Sequence, residues 1–207
     1  MSAEWAQVKN KISFWDDMYK SGHYQKSWNL QFPSTELISI VMALELPKKS
    51  RFLDVGCGAG FDLEYLSEQG FSVTGIDISS VAIDLIRKRV KELKAELLVG
   101  DIITASFNKP FDFVTDRGCF HHIVNDERPL YAKTISHALK PGGYLFLRGC
   151  CVSDDIRQPW VPLISDEINL LFPSKHFKNL GFIPFRYEAP ISIPGAMVLL
   201  RKKRGNN

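Results

Sequence analysis

A glycine-rich segment in the first third of the chain carries the clearest chemical signal. It reads Leu53-Asp-Val-Gly-Cys-Gly-Ala-Gly60. Glycines at 56, 58 and 60 allow a sharp backbone turn and let a ligand lie against the main chain. A dinucleotide-binding loop would have its last glycine where Phe61 stands. Asp54 would also repel a pyrophosphate, whereas an acid at this position suits a ligand with an ammonium group and a nearby sulfonium.

Three more acidic residues stand at the ends of predicted strands. Asp77 comes 23 residues after Asp54, about the offset at which an acid reaches a ribose diol in nucleotide-binding α/β folds. Asp101 and Asp116 end the next two predicted strands. A single acid at a strand end can be a simple cap, but four at one edge of a parallel sheet predict a binding site.

Two adjacent histidines follow the fourth predicted strand, in Cys119-Phe-His-His122. Either His121 or His122 is a candidate general base, because the pKa of histidine lies near neutral pH. The alternative is that one of the two imidazoles packs against a helix. No third and fourth ligand stands at metal spacing, so we expect no metal site.

The four cysteines, at positions 57, 119, 150 and 151, show no C-x-x-C spacing. They therefore predict neither a disulfide framework nor a zinc knuckle, but reduced thiols in a cytoplasmic protein. An alternative is that Cys119, Cys150 and Cys151 hold a soft metalloid such as arsenic. Because successive strand residues point in opposite directions, at most one of the adjacent pair needs to face such a site.

Short β-branched or aromatic runs alternate with amphipathic stretches along the chain. The predicted strands cover residues 51–55, 71–77, 95–99, 111–116, 144–148, 183–187 and 196–200. The predicted helices cover about 34–45, 61–69, 79–90 and 126–139, with Ser34 and Ser79 as N-caps and Gly70 as a C-terminal stop. This alternation predicts βαβ units and a parallel sheet, which is an α/β fold.

The motifs LDVGCGAG, GIDIS, GDI and FDFVTDRG, in this order and spacing, resemble those of the class I S-adenosylmethionine-dependent methyltransferases. The resemblance covers about residues 30 to 200. It implies a Rossmann-like three-layer sandwich with a seven-stranded, mostly parallel sheet in the order 3-2-1-4-5-7-6, strand 7 being antiparallel. It also implies S-adenosylmethionine as cofactor and S-adenosylhomocysteine as product.

The same resemblance implies roles for individual residues. The three glycines would cradle the methionine portion, with Asp54 near its amino group. Asp77 would accept the ribose hydroxyls, and Asp101 and Ile102 would contact the adenine. The residues predicted to contact the cofactor are Trp15, Tyr19, Trp28, Asp54, Gly56, Cys57, Gly58, Gly60, Asp77, Ile78, Asp101, Ile102, Asp116, Arg117 and Gly118.

Residues 1–33 are predicted to form a lid in front of a single domain at 34–207. The aromatic residues Trp15, Tyr19 and Trp28 look like the lid of small thiol, halide and chalcogen methyltransferases, such as the thiopurine and tellurite-resistance enzymes. Aromatic faces can enclose a sulfonium by cation–π attraction. The alternative is an amphipathic helix that packs on the sheet. A second segment, 152–164, resembles a lid over the methyl acceptor.

The composition restricts the classes of partner that we expect this protein to bind. The charged fraction is 24%. The net charge of +3 becomes −1 when the four basic residues at 201–204 are left out, and the rest of the chain shows no basic stripe of the kind found in nucleic-acid-binding proteins. No apolar run is long enough for a membrane span. We expect a monomer or homodimer that methylates a small molecule, at a thiol or another soft atom. A protein or nucleic-acid methyltransferase, a non-catalytic cofactor-binding subunit and an NAD(P)-dependent oxidoreductase are the alternatives.

Overall fold

The computed structural model describes residues 11–28, 31–151, 161–187 and 192–205. By their contacts these residues form two compact units. The N-terminal unit comprises the described residues up to Ile102, and the C-terminal unit comprises those from Ile103 onward. The prediction of a separate lid at 1–33 stays a prediction, although the described helices of that segment belong to the same compact unit as the first three strands.

The N-terminal unit alternates helices with three parallel strands. Strand β1 pairs with β2 from Arg51 opposite Ser72 to Val55 opposite Ile76, and β2 pairs with β3 in the same orientation. Its elements are α1 (Lys11–Lys20), α2 (His23–Ser27), α3 (Thr35–Leu44), β1 (Arg51–Val55), α4 (Phe61–Glu68), β2 (Ser72–Asp77), α5 (Ser80–Arg89) and β3 (Ala95–Val99).

Two helices of this unit begin at serine caps and one ends at a glycine, as predicted. The Ser34 hydroxyl accepts a hydrogen bond from the Leu37 amide at the start of α3, and the Ser79 hydroxyl accepts one from the Ala82 amide at the start of α5. Each satisfies an amide that has no partner within its helix. Gly70 follows α4 with a φ of 85°, a left-handed conformation that ends the helix.

The C-terminal unit contains four strands. The first two are parallel to each other, and the last strand of the chain is antiparallel to both of its neighbours. Strand β7 pairs antiparallel with both β5 and β6. Its elements are β4 (Phe111–Asp116), 3₁₀ turns at Phe120–His122 and Asn125–Glu127, α6 (Arg128–Ala138), β5 (Leu139–Cys150), α7 (Ser165–Leu171), β6 (Phe177–Arg186) and β7 (Pro194–Lys202).

Three predicted boundaries in this unit were wrong. Helix α6 begins at Arg128 rather than near residue 126, because the preceding residues form a 3₁₀ turn. Strand β5 begins at Leu139, since Leu139 pairs with Phe111 before the ladder shifts register and continues. Strand β6 begins at Phe177 rather than 183, because pairing with β7 extends it through residues that are mostly exposed and lack an apolar pattern.

The seven strands form one sheet in the hydrogen-bonded order β3-β2-β1-β4-β5-β7-β6, with β7 antiparallel. The predicted fold class, order and orientation are confirmed. The strands of the interior are buried because helices cover parallel strands on their faces: Phe52 and Leu53 of β1 and Phe113 and Val114 of β4 are fully buried. No helix among the described residues is long and apolar enough to cross a membrane.

Candidate functional site

The glycine-rich loop after β1 has the backbone that its sequence requires. Gly56, Gly58 and Gly60 have φ values of 64°, 53° and 78°, a region that residues with a Cβ rarely occupy. The amides of Gly56 and Cys57 donate to the Ile76 carbonyl, at 2.8 and 3.1 Å, and so fold the loop over the end of β2. A Cβ on Gly58 would lie 2.9 Å from the Tyr19 hydroxyl. The loop therefore presents main-chain atoms without side chains at its three glycines, and the Tyr19 hydroxyl lies close to Gly58.

Asp77, at the end of β2, is joined directly to this loop. Its Oδ2 accepts a hydrogen bond from the Gly58 amide and its Oδ1 accepts one from the Ser79 amide, both at 2.9 Å. Burial raises the pKa of Asp77 to about 6; the two amides oppose this rise, and Asp16 adds to it. Since each carboxylate oxygen can accept two hydrogen bonds, Asp77 retains acceptor capacity for a ligand at the cradle.

The other predicted cofactor residues of this unit lie near the same strand ends. Asp54 is buried within β1, opposite Gly75 of β2. Cys57 is buried in the glycine loop and Ile78 is half-buried after β2. The Gly100 amide donates to the Asp77 carbonyl at 2.9 Å, so the half-buried Asp101 and the buried Ile102 continue from a loop fastened to the end of β2.

Helix α1 is fastened to the start of α5. An Asp16 carboxylate oxygen accepts a hydrogen bond from the Ser79 hydroxyl at 2.6 Å. Tyr19 is buried, with its ring 5.0 Å from that of Tyr24. Asp16 belongs to the Trp-Asp-x-x-Tyr run of the predicted lid but was not among the residues predicted to contact the cofactor. Its spacing from Tyr19 places both side chains on one helix face.

The two predicted tryptophans form the outer part of this aromatic group. The rings of Trp15 and Trp28 meet edge to face at 5.9 Å, and Trp28 also approaches Tyr19 at 6.3 Å. Trp28 is 39% exposed, whereas Tyr19 is 7% exposed. Tyr19 thus joins this aromatic group to the glycine loop, because its hydroxyl would lie 2.9 Å from a Cβ on Gly58.

In the C-terminal unit, Asp116 organises the turn that follows β4. Its Oδ1 accepts hydrogen bonds from the amides of Gly118, Cys119 and Phe120, at 3.1, 2.7 and 3.1 Å, and its Oδ2 accepts one from the Tyr131 hydroxyl at 2.7 Å. Burial raises the pKa of Asp116 to about 6, although the hydrogen bonds from these four donors act to lower it. The structure thus gives the carboxylate a role within the turn; contact of Asp116, Gly118 and the half-buried Arg117 with the cofactor stays a prediction.

The histidine pair lies in this turn. His121 is 8% exposed, and its Nδ1 accepts a hydrogen bond from the Cys150 amide at 3.3 Å. Its Nε2 lies 3.1 Å from Nε2 of the half-buried His122. Burial holds the pKa of His121 well below 6.5, and the neighbouring His122, Arg128 and Arg148 add to this effect. Burial and the neighbouring side chains therefore disfavour a proton on His121.

Arg128, which sequence reasoning missed, holds the chain beside this turn. It is fully buried at the start of α6 and stacks on the Phe120 ring, with the guanidinium carbon 4.2 Å from the centroid. It donates to the carbonyls of Ile123, Pro162 and Val161, at 3.1, 3.1 and 2.7 Å, and forms an ion pair with Glu167. A lone arginine at a helix start gives no sequence signal for such a role.

Two of the four cysteines, Cys57 and Cys150, are buried, and Cys119 and Cys151 are half-buried. All four lie in described parts of the chain, where no disulfide joins them. Burial raises the pKa of Cys150 to about 11 and also raises that of Cys151. Thiols that stay protonated at neutral pH are poor ligands for a soft metalloid, because the thiolate is the ligand. Among the described residues there is no group of three or more side chains suited to a metal ion.

The segment predicted to cover the acceptor lies largely outside the described residues, at 152–160. The described residues that follow it are held firmly. The Val161 amide donates to the His121 carbonyl and the Leu163 amide donates to the Cys150 carbonyl, both at 2.7 Å. The chain therefore returns to the body of the C-terminal unit directly beside the histidine turn.

Residues 52–143 match the family model described as a methyltransferase domain. An uncharacterised methyltransferase of Schizosaccharomyces pombe is 33% identical over 99 residues, which are 46% of this chain and 68% of that protein. The chain belongs to the class I S-adenosylmethionine-dependent methyltransferases. This methyltransferase therefore has S-adenosylmethionine as its cofactor.

Two further relatives have names that specify sulfur. A probable thiol methyltransferase 2 of Arabidopsis thaliana is 29% identical over 141 residues, 66% of this chain and 61% of that protein. A thiopurine S-methyltransferase of Legionella pneumophila is 26% identical over 203 residues, 81% of this chain and 91% of that protein.

Solved structures share the fold of this methyltransferase. An N1-methyltransferase of Burkholderia thailandensis, with 1,6-didemethyltoxoflavin and S-adenosylhomocysteine bound, has a TM-score of 0.74 at 21% identity, with 99% of this chain and 91% of that chain covered. TehB of Haemophilus influenzae has a TM-score of 0.71 at 21% identity, with 91% and 67% covered.

The described residues fit the cofactor of this family. The glycine loop presents bare main chain, since a side chain at Gly58 would meet the Tyr19 hydroxyl. Asp54 and Asp77 are buried acids at the adjoining strands, suited to an ammonium group and to hydroxyl donors. The alternative of a dinucleotide-dependent oxidoreductase is not supported.

Proposed function

We propose that this methyltransferase transfers a methyl group to a small molecule, at a thiol or another soft atom. The observation that carries the proposal is the extent of the similarity to a thiopurine S-methyltransferase, which spans 81% of this chain and 91% of that protein. A similarity of this extent leaves little of the relative unmatched, whereas an enzyme for proteins or nucleic acids would need added recognition surface. The chain's composition, with no basic stripe in its body, also favours a small acceptor.

Within the N-terminal unit we assign the cofactor to the glycine loop and the strand-end acids. Bound there, S-adenosylmethionine would supply an activated methyl group on a sulfonium. Gly56, Gly58 and Gly60 would lie against its methionine portion, and Asp77 would accept its ribose hydroxyls. Asp54 would balance its amino group, and Asp101, Ile102, Ile78 and Cys57 would line the remaining contacts.

We assign residues 1–33 as the lid of this site, because α1 is already fastened over the loop. The hydrogen bond from Ser79 to Asp16 fixes the helix, and the ring contacts with Trp28 tie Trp15 and Tyr19 together. An aromatic group above the cradle would exclude water and attract a sulfonium. The lid therefore acts on binding more than on the chemical step.

Replacing Tyr19 by phenylalanine is expected to weaken binding of S-adenosylhomocysteine about tenfold, the value of one hydrogen bond of about 1 to 1.5 kcal/mol. Tyr24→Phe is the matched control: Tyr24 is as buried as Tyr19, and its hydroxyl accepts from Gln25 Nε2 at 3.2 Å. Calorimetric titration of both variants tests the assignment. Equal affinities for the two variants would mean that the Tyr19 hydroxyl does not touch the cofactor.

For the C-terminal unit, contact of Asp116, Arg117 and Gly118 with the cofactor and a catalytic role of His121 or His122 stay predictions. A base role for His121 or His122 would matter only for acceptors that must lose a proton during the reaction.

The absence of disulfides among the four cysteines, all in described positions, supports a reducing compartment such as the cytoplasm.

Transfer of a labelled methyl group to acceptors of one carbon skeleton tests the proposed function. A thiol, the corresponding alcohol and the corresponding amine are each incubated with the full chain and S-adenosylmethionine, and the products are identified by mass spectrometry. We expect methylation of the thiol at the highest kcat/KM. Preference for the alcohol or amine, or transfer only to added protein or RNA, would contradict the proposal.

A further inference from the structure

Asp16 of helix α1 places its carboxylate at the start of another helix, α5. Its Oδ1 accepts a hydrogen bond from the Ser79 hydroxyl at 2.6 Å, and the Val81 amide donates to the same oxygen at 3.5 Å. The first amides of a helix have no partners within the helix and carry a partial positive charge. An acid from α1 therefore supplements the N-cap that Ser79 provides for α5.

Ser79 connects Asp16 to the acid at the end of β2. While its hydroxyl donates to Asp16, its amide donates to Asp77 Oδ1 at 2.9 Å, and the other oxygen of Asp77 accepts from the Gly58 amide. Ser79 is fully buried, so water does not readily replace a lost partner. Helix α1 is thus joined through one serine to the carboxylate that we assign to the ribose.

Tyr19 gives α1 a second connection to the same loop. Its side chain forms one buried group with Tyr24 and with Ala82 of α5. A Cβ on Gly58 would lie 2.9 Å from the Tyr19 hydroxyl, so the phenol lies directly at the glycine loop. Asp16 and Tyr19 stand three residues apart on one face of α1, and each contacts a neighbour of Asp77.

The two connections constrain α1 in different ways. Apolar packing of the Tyr19 ring favours contact with α5, but it is non-directional and does not set the rotation of the helix. The hydrogen bond from Ser79 to Asp16 is directional and short, so it fixes one point on the helix face. Because Tyr19 lies less than one helical turn away, that point also fixes where the Tyr19 hydroxyl lies over the loop.

We propose that Asp16 is a positioning residue, which through Ser79 holds α1 in the orientation that places the Tyr19 hydroxyl against the cofactor. This role rests on the proposed assignment of residues 1–33 as the lid of the cofactor site. Asp16 acts on cofactor binding without touching the cofactor. The role is independent of which acceptor receives the methyl group.

A double-mutant cycle of Asp16→Ala and Tyr19→Phe tests this role, with calorimetric titration of the full chain by S-adenosylhomocysteine. Asp16→Ala is expected to weaken binding about tenfold, as much as Tyr19→Phe, because both changes lose the contact of the same hydroxyl. The double variant should bind about as tightly as either single variant. Residues that act independently would instead give a loss of about a hundredfold, the product of the two single losses.

Two further variants of α1 serve as controls. Asp17→Ala removes the neighbouring acid, which is exposed, and should leave the affinity unchanged. Asp16→Asn keeps an oxygen that can accept from the Ser79 hydroxyl, so it should recover most of the affinity. Urea denaturation shows whether each variant is folded. Should Asp16→Ala not fold, Asp16→Glu takes its place in the cycle, because its longer side chain displaces the same hydrogen bond.

Three results would overturn the positioning role. The first is a double variant whose loss is the product of the two single losses. The second is native affinity for Asp16→Ala when Tyr19→Phe binds more weakly. The third is an equal loss for Asp16→Asn and Asp16→Ala, which would assign the effect to charge. Native affinity for Tyr19→Phe would reject the lid assignment together with this role, whereas the proposed transfer to a thiol is tested separately by the labelled methyl group.

Discussion

Replacing Asp77 by alanine is expected to weaken the binding of S-adenosylhomocysteine by about a hundredfold or more. The carboxylate holds the Gly58 and Ser79 amides, and under our assignment it also accepts the ribose hydroxyls. Hydrogen bonds to a charged group contribute about 1.5 to 3 kcal/mol each, and about 2.7 kcal/mol corresponds to a hundredfold change in affinity. Calorimetric titration of the purified variant measures this loss.

Two further variants separate binding from folding. Asp84→Ala removes an exposed acid of α5 that pairs with Arg87, and it should leave the affinity unchanged. Asp77→Asn keeps the shape and one acceptor oxygen, so its loss should be intermediate. If Asp77→Ala unfolds more readily but binds S-adenosylhomocysteine as tightly as the native chain, Asp77 supports only the loop.

The raised pKa of Asp77, about 6, adds a pH dependence to the same assignment. An acid whose pKa is higher in the folded state stabilises the free protein below its unfolded pKa, and that contribution is lost as the pH rises through about 6. Binding should show the opposite trend, because the ligand needs the carboxylate. We expect the dissociation constant to rise below pH 6 by up to about tenfold per unit, and Asp77→Asn should abolish this trend.

Replacing Arg128 by methionine is expected to lower the free energy of unfolding by about 3 to 5 kcal/mol. The carbonyls of Ile123, Val161 and Pro162 would each lose a donor, and Glu167 would lose its cation. Methionine keeps a similar apolar volume over the Phe120 ring, so the loss would reflect the polar contacts. Urea denaturation followed by circular dichroism measures the difference.

Arg87→Met is the matched control for Arg128. It breaks an ion pair with Asp84 whose side chains are both more than half exposed, and such pairs contribute at most about 1 kcal/mol. Arg128→Lys should recover only part of the stability, because an ammonium group cannot reach three carbonyls in the planar arrangement of a guanidinium. A loss for Arg128→Met no larger than that for Arg87→Met would show that the clamp contributes little.

The sequence by itself predicted the alternation of strands and helices and the conformation of the glycine loop. The glycines at 56, 58 and 60 have left-handed backbone conformations that other residues avoid. The serines at 34 and 79 cap helices through hydrogen bonds to amides only three residues away along the chain. These are local properties, so residue type and spacing are enough to predict them. The order of the sheet followed from the resemblance to the methyltransferase family.

Tertiary structure alone decided how the chemical groups are used. Asp116 is engaged by Tyr131, His121 by the Cys150 amide, and Arg128 by carbonyls more than thirty residues away. The edge strand β6 likewise extends through exposed residues because β7 pairs with it. None of these contacts is encoded in local spacing. Whether an imidazole can act as a base depends on the hydrogen-bond donors that tertiary packing places at its two nitrogens. The sequence does not show which groups those are.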